Sequence, residues 1–141
     1  MSAPIEGGQR QAPPAGAANP LSDADYQRHA GAMLAHVENT VDGWLDADVI
    51  DIDSQRSGGL LELHFPGGSK IIINLQPPLH EIWLAAKGGG FHYRWQAGQW
   101  LDTRDDSEFL TVLSAHASLQ AGKALRFAPV PAPISAPAPA G

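Results

Sequence analysis

Two short strands separated by a pair of prolines constrain the fold of this chain more than any other feature. The stretch Ser69–Gln76 alternates in character, which indicates a strand with one aliphatic face formed by Ile71, Ile73 and Leu75. Pro77 and Pro78 end that strand, because proline cannot donate a hydrogen bond to a sheet ladder. A second strand is predicted over Leu79–Ala86.

The second strand predicts an exposed aromatic residue. Ile82 and Leu84 form its aliphatic side, so Trp83 must project from the opposite, solvent-facing side. Asn74 and Gln76 project from the polar face of the first strand. A large aromatic side chain beside polar residues on a solvent-facing sheet is typical of a partner-binding surface, so we predict that Asn74, Gln76 and Trp83 bind a partner.

The remaining segments predict an α+β fold. Alternating strands are expected over Leu60–Phe65, Phe91–Trp95 and Trp100–Thr103, and the short turns between them imply antiparallel pairing. A capping-box-like pair begins each of two helices: Ser22 with Asp25, and Asp105 with Glu108. The first helix should end near Asp46 and the second at Gly122. We therefore predict a two-layer α/β sandwich, with about six strands covered on one face by an N-terminal and a C-terminal helix.

The first helix has one predicted buried stripe. In the first helix the stripe comprises Tyr26, Ala30, Met33, Val37, Val41 and Trp44, widened by Leu34 and Leu45. Ala124–Phe127, after the second helix, is expected to form either a terminal strand or a segment tucked against the helices.

The composition divides the chain into one domain and two tails. Residues 1–20 and 128–141 are rich in Ala, Pro and Gly, so we predict disordered tails around a single domain at 21–127. There is no cysteine and therefore no disulfide or thiol nucleophile. Neither an apolar run long enough to span a membrane nor a signal-peptide pattern is present, so we expect a cytoplasmic protein without membrane or nucleic-acid partners.

Acidic residues concentrate at the end of the first helix and the segment after it. Residues 21–53 contain eight acidic residues against one basic residue, a net charge of −7, whereas residues 54–141 contain six against seven, a net of +1. The group of interest comprises Glu38, Asp42, Asp46, Asp48, Asp51 and Asp53. Three interpretations stay open: a solvated helix face, a patch for a basic protein surface, or weak, hydrated cation binding by hard oxygen ligands.

Several motifs in this chain resemble the frataxin family, specifically its bacterial CyaY type. They are Gly-Ser-Lys-Ile-Ile-Ile-Asn at 68–74, Gln76-x-Pro78, Ile82-Trp83-Leu84-Ala85 and Gly89-Gly90-Phe-His-Tyr. The resemblance runs in the same order from about Ser22 to Phe127. It implies the same α/β sandwich and a role in iron–sulfur cluster assembly.

The resemblance also implies a metal, partners and a place for each. Frataxins bind iron on an acidic ridge formed by the first helix and the following strand edge, which corresponds here to Glu38, Asp42, Asp46, Asp48, Asp51 and Asp53. The implied partners are the cysteine desulfurase and the cluster scaffold protein, and the implied state is a monomer that can oligomerise with iron. We expect weakly bound iron and a regulatory role, whether activating or inhibitory.

Two other functions compete with that interpretation. A ferroxidase would use the acidic-ridge carboxylates to hold iron during oxidation, but oxidation sites usually hold iron with fixed histidine and carboxylate ligands. A metal-independent adaptor would use the acidic patch only for protein contacts. We single out no catalytic residue, and we interpret His29 and His36 as ordinary surface histidines on the flank opposite Glu38.

Overall fold

The computed structural model describes residues 21–131, which form two helices and one six-stranded sheet. In chain order the elements are α1 (Asp23–Asp46), β1 (Asp53–Ser57), β2 (Leu60–His64), β3 (Lys70–Gln76), a 3-10 turn (Pro77–Leu79), β4 (Glu81–Ala86), β5 (Gly89–Gln96), β6 (Gln99–Asp102) and α2 (Phe109–Ala121). The tail predicted at 1–20, and all of the second tail after Pro131, lie outside the described residues. Neither described helix is long and apolar enough to cross a membrane.

The sheet is an antiparallel meander with the strand order β1-β2-β3-β4-β5-β6. Its apolar face lies under both helices, and the inward residues of the central strands are almost fully buried. Ile73 of β3 pairs with Leu84 of β4, and both belong to the single buried core. Ile82 and Leu84 are buried as expected, which confirms the predicted orientation of β4. The six-stranded antiparallel sheet with two helices on one face confirms the predicted α/β sandwich.

Helix α1 follows its predicted stripe closely. The Ser22 hydroxyl accepts a hydrogen bond from the Asp25 backbone N–H at 3.0 Å and caps the first turn. The buried residues of α1 are Tyr26, Ala30, Met33, Leu34, Val37 and Val41. Two predicted members of the stripe differ. Trp44 is only partly buried and packs on Phe127, at a ring-centroid distance of 4.8 Å, and Leu45 is 49% exposed.

Three predicted element boundaries were wrong. Strand β5 begins at Gly89 rather than Phe91, because only Lys87 and Gly88 form the turn before it. Strand β4 begins at Glu81 rather than Leu79, because Pro77–Leu79 form a 3-10 turn that ends at a left-handed His80. Helix α2 begins at Phe109 rather than near Asp105. The Asp105 carboxylate accepts from the Ser107 backbone N–H, which makes a local turn before the helix.

The C-terminal segment takes the tucked arrangement rather than forming a strand. Leu125 and Phe127 are buried in the core. The Ser118 hydroxyl of α2 accepts from the Leu125 N–H at 2.8 Å and donates to the Leu125 carbonyl at 3.0 Å. Ser114 accepts from the Phe127 N–H in the same way. Side chains of α2 thus replace the missing sheet partners of this segment.

Candidate functional site

The face of the sheet opposite the helices bears two neighbouring rows of side chains. Antiparallel pairing places Asn74, Trp83 and His92 side by side across β3, β4 and β5. The second row lies two residues away along each strand, where Gln76 pairs with Glu81 and Glu81 pairs with Arg94. The structure therefore brings the three predicted partner-binding residues together on one surface. We call this surface the open face: Asn74, Gln76, Glu81, Trp83, His92 and Arg94.

The centre of the open face is a buried carboxylate. Glu81 is only 6% exposed, although it lies on the side of the sheet that no helix covers. Its Oε1 accepts from the Trp83 indole Nε1–H at 2.8 Å. Its Oε2 accepts from Nε and Nη2 of Arg94, both at 3.3 Å. Hydrogen bonds to a charged acceptor are stronger than those between neutral groups, so this carboxylate holds both side chains in place.

Trp83 stacks on a neighbouring histidine. The Trp83 and His92 rings lie 4.2 Å apart between centroids, with only 7° between their planes. The Nδ1 atom of His92 is 3.9 Å from the Glu81 carboxylate. Trp83 therefore projects from the expected side of the sheet, but it is half-buried rather than freely exposed. The surface it presents is a stacked pair of rings.

The sequence alone did not identify His92 and Arg94 as members of this surface. Their alternation with Phe91, Tyr93 and Trp95 showed which face they occupy. What was missing was the β4–β5 register, which sets Trp83 opposite His92 and Glu81 opposite Arg94. A register assigned through the short Lys87–Gly88 turn would have found both residues.

The predicted acidic residues lie at and beyond the C-terminal half of α1, mostly in solvent. Five of the six are exposed, and the sixth, Glu38, is partly buried and forms an ion pair with Arg56 of β1 at 3.2 Å. Asp53 begins β1 and accepts a hydrogen bond from Gln55. Asp48 has a left-handed backbone, with φ of 61°, in the turn after α1. We call these residues the acidic strip: Glu38, Asp42, Asp46, Asp48, Asp51 and Asp53.

The acidic strip is not a preformed metal centre. Within residues 21–131, no three His, Asp or Glu side chains are grouped closely enough to hold a metal ion. Apart from Glu38, no member of the strip is ion-paired with another described residue. Separate, hydrated carboxylates can bind hard cations through one or two oxygens each, and they can attract a basic protein surface.

The two α1 histidines have structural partners away from the strip. His29 stacks on Trp95 with 3.9 Å between ring centroids, and burial, aided by the nearby Arg28 charge, lowers the pKa of His29. His36 Nε2 is 2.6 Å from the backbone carbonyl of Ala128. Both histidines are therefore partly buried and make structural contacts, whereas the sequence had suggested ordinary surface residues.

Known proteins are similar to this chain in both sequence and fold. A frataxin-like domain model matches residues 19–123. The iron-sulfur cluster assembly protein CyaY of Polaromonas sp. is 54% identical over 112 residues, covering 79% of this chain and 97% of that protein.

Solved structures agree with the sequence matches. Frataxin from Psychromonas ingrahamii superposes with a TM-score of 0.68 at 34% identity, covering 77% of this chain and all of that one. Trimeric frataxin from the yeast Saccharomyces cerevisiae, complexed with ferrous iron, has a TM-score of 0.58 at 27% identity, covering 67% of this chain and 86% of that one. The motifs, the meander under two helices and these matches together show that the chain belongs to the frataxin family, in its bacterial CyaY branch.

Proposed function

We propose that this chain acts in iron–sulfur cluster assembly as a cytoplasmic, monomeric iron-binding protein that regulates the assembly machinery. Support comes from the family, from the iron–sulfur cluster assembly role of the CyaY relatives and from the ferrous complex of yeast frataxin. The acidic strip would bind iron, and the open face would contact the partner proteins. The two surfaces have different chemistry, carboxylates on one and aromatic and amide side chains on the other, so we assign a different ligand to each.

One observation supports weak iron binding above all others: five exposed carboxylates of the strip have no basic partner among the described residues. An unpaired carboxylate is available to a cation without first losing an ion pair. Because the strip forms no closed ligand cage within residues 21–131, the bound iron would keep much of its water. We therefore expect dissociation constants in the micromolar range or weaker, with other divalent cations competing.

The iron test is an anaerobic calorimetric titration with ferrous iron. Replacing Asp42, Asp46, Asp48 and Asp51 together by Asn should weaken binding strongly. The matched control is a second variant with the same charge change, in which Asp23, Asp25, Asp105 and Asp106 are replaced by Asn. Equal loss of binding in both variants would indicate a net-charge effect only. Unchanged binding in the first variant would exclude the strip as the iron site.

We propose that docking on the cysteine desulfurase and the scaffold protein uses both surfaces. The strip would face a basic patch and accelerate encounter, because long-range charge attraction acts mainly on association rates. The specific contact would be made by Asn74, Gln76 and Trp83, because a large aromatic side chain such as Trp83 is a typical binding hot spot. Trp83→Ala should cost about 2 kcal/mol of binding free energy if it is such a residue.

The docking test is a salt series of binding kinetics on the purified desulfurase–scaffold complex. Trp83→Ala should speed dissociation at every salt concentration. Charge reversal at Glu38, Asp42 and Asp46 should slow association most at low salt, where screening is weakest. If folded Trp83→Ala binds like the parent, the open face is not the docking surface.

Iron-dependent oxygen consumption separates this proposal from ferroxidase activity. A binding protein with hydrated, separate carboxylates should consume oxygen no faster than the same iron in buffer. The metal-independent adaptor is tested by the same proteins: desulfurase binding that is identical with and without iron, together with no measurable iron affinity, would favour it.

A further inference from the structure

A buried carboxylate on the uncovered side of a sheet needs a physical reason. The Glu81 side chain is 8% exposed, and burying a charge is costly unless it is paired and hydrogen-bonded. Both of its oxygens are satisfied by side chains of the open face itself, namely Trp83 on one oxygen and Arg94 on the other. Glu81 therefore links the groups that a partner would meet.

We propose that Glu81 is the positioning residue of the docking surface, an inference that rests on the proposed docking function. Trp83 is held from two directions, by its N–H bond to Glu81 and by its stack on His92. A side chain that is already ordered loses less conformational entropy on binding, so the free energy of each contact is retained. Glu81 would thus raise affinity without touching the partner.

The same carboxylate orients a cation outward, which indicates the charge of the partner segment. Arg94 uses Nε and Nη2 on Glu81, while its side chain stays 59% exposed. A guanidinium has five N–H donors, so the remaining donors face solvent. Together with the Trp83–His92 pair, they fit a partner segment that places a carboxylate on Arg94 and a flat or apolar group on the rings.

The open face would therefore bind an acidic segment, whereas the acidic strip would face a basic one. This difference assigns the two surfaces to two separate regions of the partner complex. It also explains why Arg94 needs Glu81: without the carboxylate, the long Arg94 side chain would sample many rotamers before binding.

The experiment combines a direct view of Trp83 with binding kinetics. The Trp83 indole N–H signal, in ¹H–¹⁵N spectra of the full chain, reports its hydrogen bond to Glu81. Glu81→Gln retains an acceptor of nearly the same shape but removes the charge, and Glu81→Leu removes both. The backbone carbonyl of Glu81, which accepts from the Tyr26 hydroxyl at 2.7 Å, remains in either variant. Glu62→Gln is the control, because Glu62 lies on the same side of the sheet and contacts His64 instead.

We expect Glu81→Leu to shift the Trp83 indole signal and to speed dissociation from the desulfurase–scaffold complex about tenfold. Glu81→Gln should fall between Leu and the parent, and Glu62→Gln should match the parent. Trp83→Phe retains the ring on His92 but has no N–H to donate. Adding Glu81→Gln to Trp83→Phe should therefore change dissociation less than Glu81→Gln changes it in the parent.

Two results would overturn the inference in distinguishable ways. If Trp83→Ala weakens binding while Glu81→Leu leaves both the indole signal and dissociation unchanged, Glu81 does not position the surface and the docking function stands. If Trp83→Ala has no effect on binding, the docking function fails, and the positioning role in docking fails with it.

Discussion

Neutralising the end of helix α1 should make this protein more stable. Asp42 and Asp46 lie four residues apart on the helix, both exposed, and the last turn contains no basic residue. Like charges at this spacing repel by about 0.2–0.5 kcal/mol. Each carboxylate also lies near the negative end of the helix dipole, which costs about 0.3–1 kcal/mol apiece. Replacing both by Asn should therefore raise the free energy of unfolding by about 1–2 kcal/mol.

The assay is thermal unfolding of the double variant at low and high salt. For a domain of this size, that gain corresponds to a rise in Tm of roughly 5–10 °C. At about 1 M salt the Debye length is near 3 Å, so most of the difference should vanish. Asp25→Asn is the control of opposite sign. Asp25 lies in the first turn of α1, 2.7 Å from Arg28, where a negative charge is favourable.

An unchanged or lower Tm for the double variant at low salt would refute this reasoning. A rise that persists in concentrated salt would also refute it, because the gain would then come from something other than charge. If the prediction holds, the acidic strip reduces stability, and the carboxylates are retained for a role outside folding, such as the proposed iron binding.

Three further predictions concern the core, the chain ends and pH. Phe127→Ala should lower the free energy of unfolding by about 3–5 kcal/mol in denaturant titrations, since Phe127 is buried against Trp44; a near-parental value would contradict its role in the core. Deleting residues 1–19 and 132–141 together should leave Tm and iron binding nearly unchanged, and a clear loss of either would show that a tail contributes. Because burial lowers the pKa of His29 from its ordinary value of 6.5, the unfolded chain binds the proton more readily, and stability should fall as pH drops through that value and below. His29→Leu should lose less stability than the parent between pH 7 and pH 5, and parallel pH profiles would contradict this.

Local sequence patterns were sufficient to predict the architecture. Alternation defined the faces of β3 and β4, and the i, i+3, i+4 spacing defined the buried stripe of α1. Ser22 marked the start of α1, and Gly122 marked the end of α2 with a left-handed φ of 70°. These signals act over one or two turns of chain, so they can be recognised without knowledge of distant neighbours.

The start of α2 was mispredicted because a contact with a distant strand overrode the local capping preference. By N-cap preference the sequence favours Asp105, because Asp is a preferred capping residue and Glu is not. In the structure the Glu108 carboxylate nevertheless accepts from the Leu110 and Thr111 backbone N–H groups. Leu101 pairs with Glu108 in an isolated β-bridge, so Glu108 itself is extended and caps the helix that begins at Phe109. A tertiary contact with β6 therefore decided where α2 begins.

Half of the open face was identified only once the strand pairing was known. Asn74, Gln76 and Trp83 were identified from the face on which each residue projects, a property of its own strand. The roles of Glu81, His92 and Arg94 depend instead on which residues of β4 and β5 lie opposite each other. A shift of one residue in that pairing would separate Glu81 from Arg94 and Trp83 from His92. The register follows from the two-residue Lys87–Gly88 turn, and a strand predicted to begin at Phe91 instead of Gly89 could not give it.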